Sequence, residues 1–224
     1  VPVGVVAQAA GVASFPFLAA LAAKGDLEQF RFTLNRTMKN SMMVAVPVAA
    51  WMITASGPVL GFIFEGGSFA ASHTSGAAPL LQIMLLAVPF WLLQQVTGRA
   101  FYAMQDTVTP AVVGTVATLL AVPGYILLVP VMGAKAVALV TTLSIALYAI
   151  ALLFIACRRW ATGAFEGVWI TAWRSVLLSM PGCGIMLAVM HDGFRLLSGF
   201  SPLVQQFLVL AVGGTLFVVS WLLL

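Results

Sequence analysis

The sequence predicts an all-α fold, a polytopic bundle of about seven membrane-spanning helices. Three observations carry that prediction. Hydrophobic residues make up 62% of the chain and charged residues 7%, against about 25% charged in a soluble domain. The charges gather into short segments and leave seven long apolar stretches, each enough for the roughly 20 residues that cross a bilayer. The basic residues then fall mostly on one side of the resulting bundle. A chain this apolar cannot hide its surface in water, so the bilayer is its expected solvent. That excludes soluble enzymes, nucleic-acid binders and disordered proteins. Barrel strands would show apolar–polar alternation, and the chain has none.

The first stretch runs from Val1 to Ala23. It opens inside an apolar run with no basic leader. Its helix is therefore expected to be truncated, and the chain to be a fragment of a longer protein. KGDLEQFRFTLNRTMKN follows, from Lys24 to Asn40. Leu27, Phe30, Leu34 and Met38 recur there at helical spacing and make one apolar stripe. Two readings fit: an amphipathic cytoplasmic connector lying along the membrane surface, or a simple extension of the flanking helices.

The second stretch is Asn40–Phe64, and the third is Gly66–Gln105 with only Arg99 inside. The fourth is Thr107–Ala134 and the fifth Ala136–Cys157. The sixth is Gly167–Met190 with only Arg174 inside, and the seventh is Leu196–Leu224. Placing the first loop in the cytoplasm puts Lys24, Arg31, Arg36, Lys39, Arg99, Arg158, Arg159 and Arg174 inside, and only Lys135 and Arg195 outside. The amino end is then external. Trp160, Trp169 and Trp173 gather at the inner face as an aromatic belt would. The net charge of +4 thus reports topology and does not argue for nucleic acid.

Prolines interrupt many spans: Pro47 and Pro58, Pro89, Pro123 and Pro130, Pro181. Each frees a carbonyl that needs a partner in lipid, so these helices are expected to pack together. Gly57 and Gly61 have the spacing of close helix contact. No internal repeat and no linker divides the chain, which reads as one domain or half of a larger one.

Parts for catalysis are scarce. His73 and His191 are expected in external loops, without further ligands at metal spacing. The acids Asp26, Glu28, Glu65, Asp106, Glu166 and Asp192 fall in loops or at helix ends, and Cys157 and Cys183 read as packing residues. No nucleophile motif, metal site or cofactor site is expected, and the chain is not read as an enzyme.

The informative stretch is QVTGRAFYAMQDTVTP, from Gln95 to Pro110, a polar hinge between two greasy helices. Arg99 lies about six residues before the helix should end. It either snorkels to the inner face or lines an aqueous cavity, where a guanidinium suits an anionic headgroup. Asp106 is favoured as a cap for the next helix, with Pro110 in its first turn. Gln82, Gln94, Gln95, Thr97, Thr115, Thr118, Thr141, Thr142 and Ser144 are expected inside the bundle, bridging helices or lining a path. Arg99, Gln94, Gln95 and Asp106 are the candidates for the substrate path.

Five segments resemble a known family in order: PVGVVAQAAGVASFPFLAALAAKGD (Pro2–Asp26), FRFTLNRTMKNSMMVAVPVAA, GPVLGFIFEGGSF (Gly57–Phe69), RAFYAMQDTVTP (Arg99–Pro110) and GAKAVALVTTLS (Gly133–Ser144). They are similar to the MviN/MurJ-type lipid II flippases of the multidrug/oligosaccharidyl-lipid/polysaccharide exporter superfamily. RAFYAMQDTVTP is the most specific piece, and beyond Ser144 only helix spacing agrees.

The resemblance implies the carboxy-terminal lobe of a two-lobed, multi-pass flippase of the bacterial cytoplasmic (inner) membrane. By alternating access, such a protein moves an undecaprenyl-pyrophosphate-linked peptidoglycan precursor between leaflets. Its implied partners are that substrate, membrane lipids and the missing amino-terminal lobe. In the family the last two helices, here Trp169–Met190 and Leu203–Leu224, form a groove suited to a lipid tail. The chain also departs from the pattern. The family's cavity arginines precede Val1, Gly66 stands where many relatives carry arginine, and no asparagine near Gly124 or Tyr125 supplies a sodium ligand. Two alternatives remain: another polysaccharide-lipid or drug exporter of the superfamily, and a non-transporting membrane scaffold remnant.

Overall fold

A computed structural model describes the backbone of residues 2–64, 71–160, 163–197 and 199–223, and the described residues are almost entirely helical. The helices are α1 (Pro2–Ala23), α2 (Leu27–Thr54), α3 (Ser56–Phe64), α4 (Ala71–Leu85), α5 (Val88–Ala103), α6 (Val108–Met132), α7 (Ala134–Arg159), α8 (Val168–Leu196) and α9 (Pro202–Leu223). Among the described residues, α6, α7, α8 and α9 are each long and apolar enough to cross a membrane alone. Glu65 and Gly66, a loop acid and a departure from the family pattern, lie outside the described residues.

The expected second and third spans are not single rods. α2 and α3 meet at 76° across Ala55, and α4 and α5 are separate helices parted by Leu86 and Ala87. Proline marks both positions. Pro58 stands in the first turn of α3 and Pro89 in the first turn of α5, where the missing N–H leaves a carbonyl of the preceding turn without its regular donor and favours a bend. Pro47, Pro123, Pro130 and Pro181 sit within continuous helices.

α2 runs unbroken from Leu27 to Thr54, so residues 27–40 form one helix with the apolar stretch that follows. Phe30, Leu34 and Met38 are fully buried, as their spacing requires, while Leu27 is exposed. Two histidines expected in loops lie in helices: His73 in the first turn of α4, and His191 in α8, which continues to Leu196. Gln82, expected inside, is exposed.

The chain forms two compact units. The first comprises Val1–Ala45 with Leu86–Trp173, and the second Val46–Leu85 with Arg174–Leu224. In the first, α1 packs along α5, and α7 lies against both α5 and α6. α5 supplies the centre, burying Leu92, Leu93, Val96, Ala100 and Phe101. In the second, α3 packs on α4 and α9. Glycines there admit large neighbours: Phe217 fills the space beside Gly182, Met186 the space beside Gly213, and Trp51 lies over Gly214. In lipid, such van der Waals fit drives helix association, because hydrocarbon outside is as apolar as hydrocarbon inside.

Candidate functional site: the polar end of the first unit

α1 and α5 end in the same way. At α1, Gly25 N–H donates to Ala22 O (3.0 Å) and Asp26 N–H to Leu21 O (3.1 Å). At α5, Gln105 N–H donates to Tyr102 O (3.0 Å) and Asp106 N–H to Phe101 O (3.0 Å). This is the paired bonding that closes a helix through one left-handed residue. Those residues are Gly25 (φ 72°) and Gln105 (φ 60°). Each turn then hands over to an aspartate that caps the next helix. Asp26 Oδ1 accepts from Gln29 N–H at 3.1 Å, and Asp106 Oδ1 from Thr109 N–H at 2.9 Å. AAKGDLEQ and YAMQDTVT therefore build one structure twice. The repeat escaped sequence reading because only the aspartate and one alanine are shared. The signal was an apolar helix followed by Asp with a polar residue three positions on.

Asp106 thus caps α6, and it also meets α7. Arg159 Nη1 donates to Asp106 Oδ2 (2.7 Å) and to Thr109 Oγ1 (2.9 Å), while Thr109 Oγ1 donates to Asp106 Oδ2 (2.6 Å). The Thr109 hydroxyl, then its backbone N–H, hold the Asp106 carboxyl below its ordinary range; burial opposes them, and the Arg159 charge adds a lesser lowering.

The next residue, Trp160, closes the same end. Its ring stands edge-on to Phe30 (5.4 Å between centroids) and to Phe101 (5.3 Å). Its carbonyl accepts from Arg31 Nε at 2.6 Å. Trp160 is only 9% exposed, against 53% for Trp169 and 64% for Trp173. The expected three-tryptophan belt therefore loses one member to the interior. One turn along α2, Asn35 Nδ2 donates to Ala164 O (2.8 Å) and Glu166 O (3.0 Å). Arg31, Asn35 and Lys39 share a helix face, and Lys39 reaches Gly167 at the start of α8.

The α6–α7 hairpin is stitched along its length. Tyr148 OH donates to Pro110 O (2.8 Å), Ser144 Oγ to Ala117 O (3.3 Å), and Tyr125 OH to Thr141 Oγ1 (3.0 Å), whose own proton goes to Val137 O. Tyr125 and Thr141 thus satisfy each other near the position where the resemblance expected an asparagine.

Gln95, Arg99 and Tyr102 follow one face of α5 at i, i+4 and i+7. Gln94, Gln95 and Arg99 are half-buried and make no hydrogen bond or ion pair among the described residues. Thr97 is fully buried with its hydroxyl unpaired. Tyr102 borders a cavity of about 390 Å³ between the ends of α1 and α5, with Ala19, Ala22, Ala23 and Gln105 also on its wall. The structure therefore does not pair Arg99 with Asp106, whose partner is Arg159.

Comparison with known proteins places these features in context. The family model for "Lipid II flippase MurJ" matches residues 1–203. A probable lipid II flippase MurJ of Rhizobium tropici is 26% identical over 230 residues, covering 99% of this chain and 43% of that protein. The lipid II flippase MurJ of Thermosipho africanus is 27% identical over 94 residues, 42% of this chain and 20% of that protein. A probable one of Rhizobium meliloti is 28% identical over 137 residues, 61% and 26% respectively. A solved structure of lipid II flippase MurJ in an inward closed conformation superposes with a TM-score of 0.68, at 22% identity, over 98% of this chain and 43% of that one. At that identity the superposition speaks for the fold. The chain spans less than half the length of these relatives.

Proposed function

Since this chain belongs to the lipid II flippase MurJ family, we propose that it forms the carboxy-terminal lobe of a flippase in the bacterial cytoplasmic membrane. Its cargo is an undecaprenyl-pyrophosphate-linked peptidoglycan precursor. The family match across residues 1–203 is the observation that carries this reading. An amino-terminal lobe supplies the other wall of the path, and membrane lipids surround both. Transport proceeds by alternating access, with one lobe rocking against the other around a cationic cavity.

In this reading the Gln95–Arg99–Tyr102 face of α5 belongs to the path. An arginine at this depth with no partner among the described residues is costly in hydrocarbon and is best accommodated by water or an anion. Its planar guanidinium suits a pyrophosphate, offering two parallel donors to adjacent oxygens. Gln94 and Gln95, with no partners among the described residues, add neutral donors and acceptors suited to the sugar and peptide of the headgroup. Asp106 acts at a remove, by holding the α5–α6 turn that ends this face.

The test is growth rescue of a flippase-depleted strain by the full-length protein carrying Arg99→Ala, with membrane abundance measured in parallel. The expected result is lost rescue at normal abundance. Normal rescue at normal abundance removes Arg99 from the path.

A further inference from the structure

We infer that the break between α2 and α3 is a pinned hinge, and that Gln82 of α4 is the pin. The two helices turn by 76° across one residue, Ala55. Regular bonding survives on both sides: Ala55 N–H donates to Trp51 O (2.8 Å), and Val59 N–H to Ala55 O (2.9 Å). Between them Pro58 has no N–H for the carbonyl of Thr54, and Ser56 and Gly57 open a new helix instead of continuing α2.

A carbonyl stranded in a low-dielectric surrounding is strongly unfavourable without a donor. Gln82 provides one. Its Nε2 donates to Ile53 O at 3.3 Å and to Ser56 Oγ at 2.9 Å. These acceptors stand on either side of Ala55, so one amide holds both lips of the break. Thr54 does not compete, because its hydroxyl turns back to Ala50 O at 3.0 Å. The far side of α3 is held sterically: the Gln206 amide of α9 occupies the space a side chain at Gly61 would take.

The hinge therefore has two ways to satisfy Ile53. Bent, the carbonyl takes the Gln82 amide. Straightened, it takes the N–H of Gly57, where a side chain would meet open space. Gln82 decides between them, and with the amide gone α3 swings toward the axis of α2. The device is a property of this chain whatever its cargo.

The test places spin labels at Val48 and Ile63, on either side of the break, in the intact protein in lipid nanodiscs. A continuous helix would separate these positions by about 22 Å, and the bend shortens that distance. Gln82→Leu, which keeps bulk and loses the amide, should lengthen the distance by several ångström toward about 22 Å and broaden its distribution. Ser56→Ala should do the same to a smaller degree. Adding Gly57→Pro to Gln82→Leu removes the competing N–H and should restore the short distance, a rescue that a merely packing role for Gln82 would not give. An unchanged distribution in both Gln82→Leu and Ser56→Ala overturns the inference. If Gln82→Leu does not accumulate in membranes, a wild-type distribution in Ser56→Ala suffices to overturn it.

Discussion

Arg159 Nη1 lies 2.7 Å from Asp106 Oδ2, which ties the last turn of α7 to the turn that starts α6. The same carboxylate caps α6 through Thr109 N–H at 2.9 Å. The two roles differ in weight. The Arg159 side chain is 54% exposed, so water and salt screen the ion pair. An exposed pair contributes about 0–1 kcal/mol, whereas losing an N-cap costs about 0.5–2 kcal/mol. Asp106→Ala should therefore destabilise more than Arg159→Ala. A double-mutant cycle by denaturant titration in detergent checks this, and an Arg159→Ala loss as large as the Asp106→Ala loss would reverse the ranking.

The same carboxylate sets a pH dependence. Its pKa is lowered in the fold, first by the Thr109 hydroxyl. The stabilisation it confers is therefore complete above the unfolded value, about 4, and is lost as pH falls through the lower folded value. Stability measured between pH 8 and 5 should be flat with respect to this group. Below pH 4 the wild type should lose stability that Asp106→Asn does not, as read by unfolding curves at each pH.

Gln105 holds a left-handed backbone, φ 60°, that Gly25 adopts at the equivalent turn. A side chain in that region costs roughly 1–2 kcal/mol relative to glycine. Gln105→Gly should raise stability by about 1 kcal/mol, and Gly25→Ala should lower it by a similar amount. Opposite shifts in thermal unfolding midpoint are the expected readout.

Trp160 joins α2, α5 and α7 through Phe30, Phe101 and Arg31. Trp160→Ala should cost about 3–5 kcal/mol, as removal of a buried ring usually does. Trp173→Ala, at an exposed position, should stay within about 0.5 kcal/mol of the wild type. Comparable losses in both would mean that Trp160 is not a core residue.

Gly213 has the Met186 sulfur where a side chain would go, whereas Gly184 has open space. Gly213→Val should cost about 1–3 kcal/mol through overpacking, and Gly184→Ala should raise stability by about 0.5–1 kcal/mol through helix propensity. Unfolding of the two variants side by side distinguishes fit from helix propensity.

Much of the site was legible residue by residue and little of it pair by pair. Asp106 as a cap followed from DTVTP alone, because capping is local chemistry. Its partner Arg159 is 53 residues away, and no local rule selects it from the other basic residues at the same end. Arg99 drew attention because an isolated charge in an apolar run is conspicuous. Trp160 was placed in a belt because its composition and depth match Trp169 and Trp173, and only packing against Phe30 and Phe101 distinguishes it.

The sequence by itself determined that the chain is helical, lives in lipid and follows the order of its family, since apolar length, charge placement and capping all act within a few residues. The prolines mark where two expected rods can bend, and the tertiary structure decided that they do and which polar side chains satisfy the bend. It decided as well which of three similar tryptophans is interior. Those outcomes depend on what a distant helix brings alongside. The carbonyl of Ile53 can accept from Gln82 because α4 lies against α3.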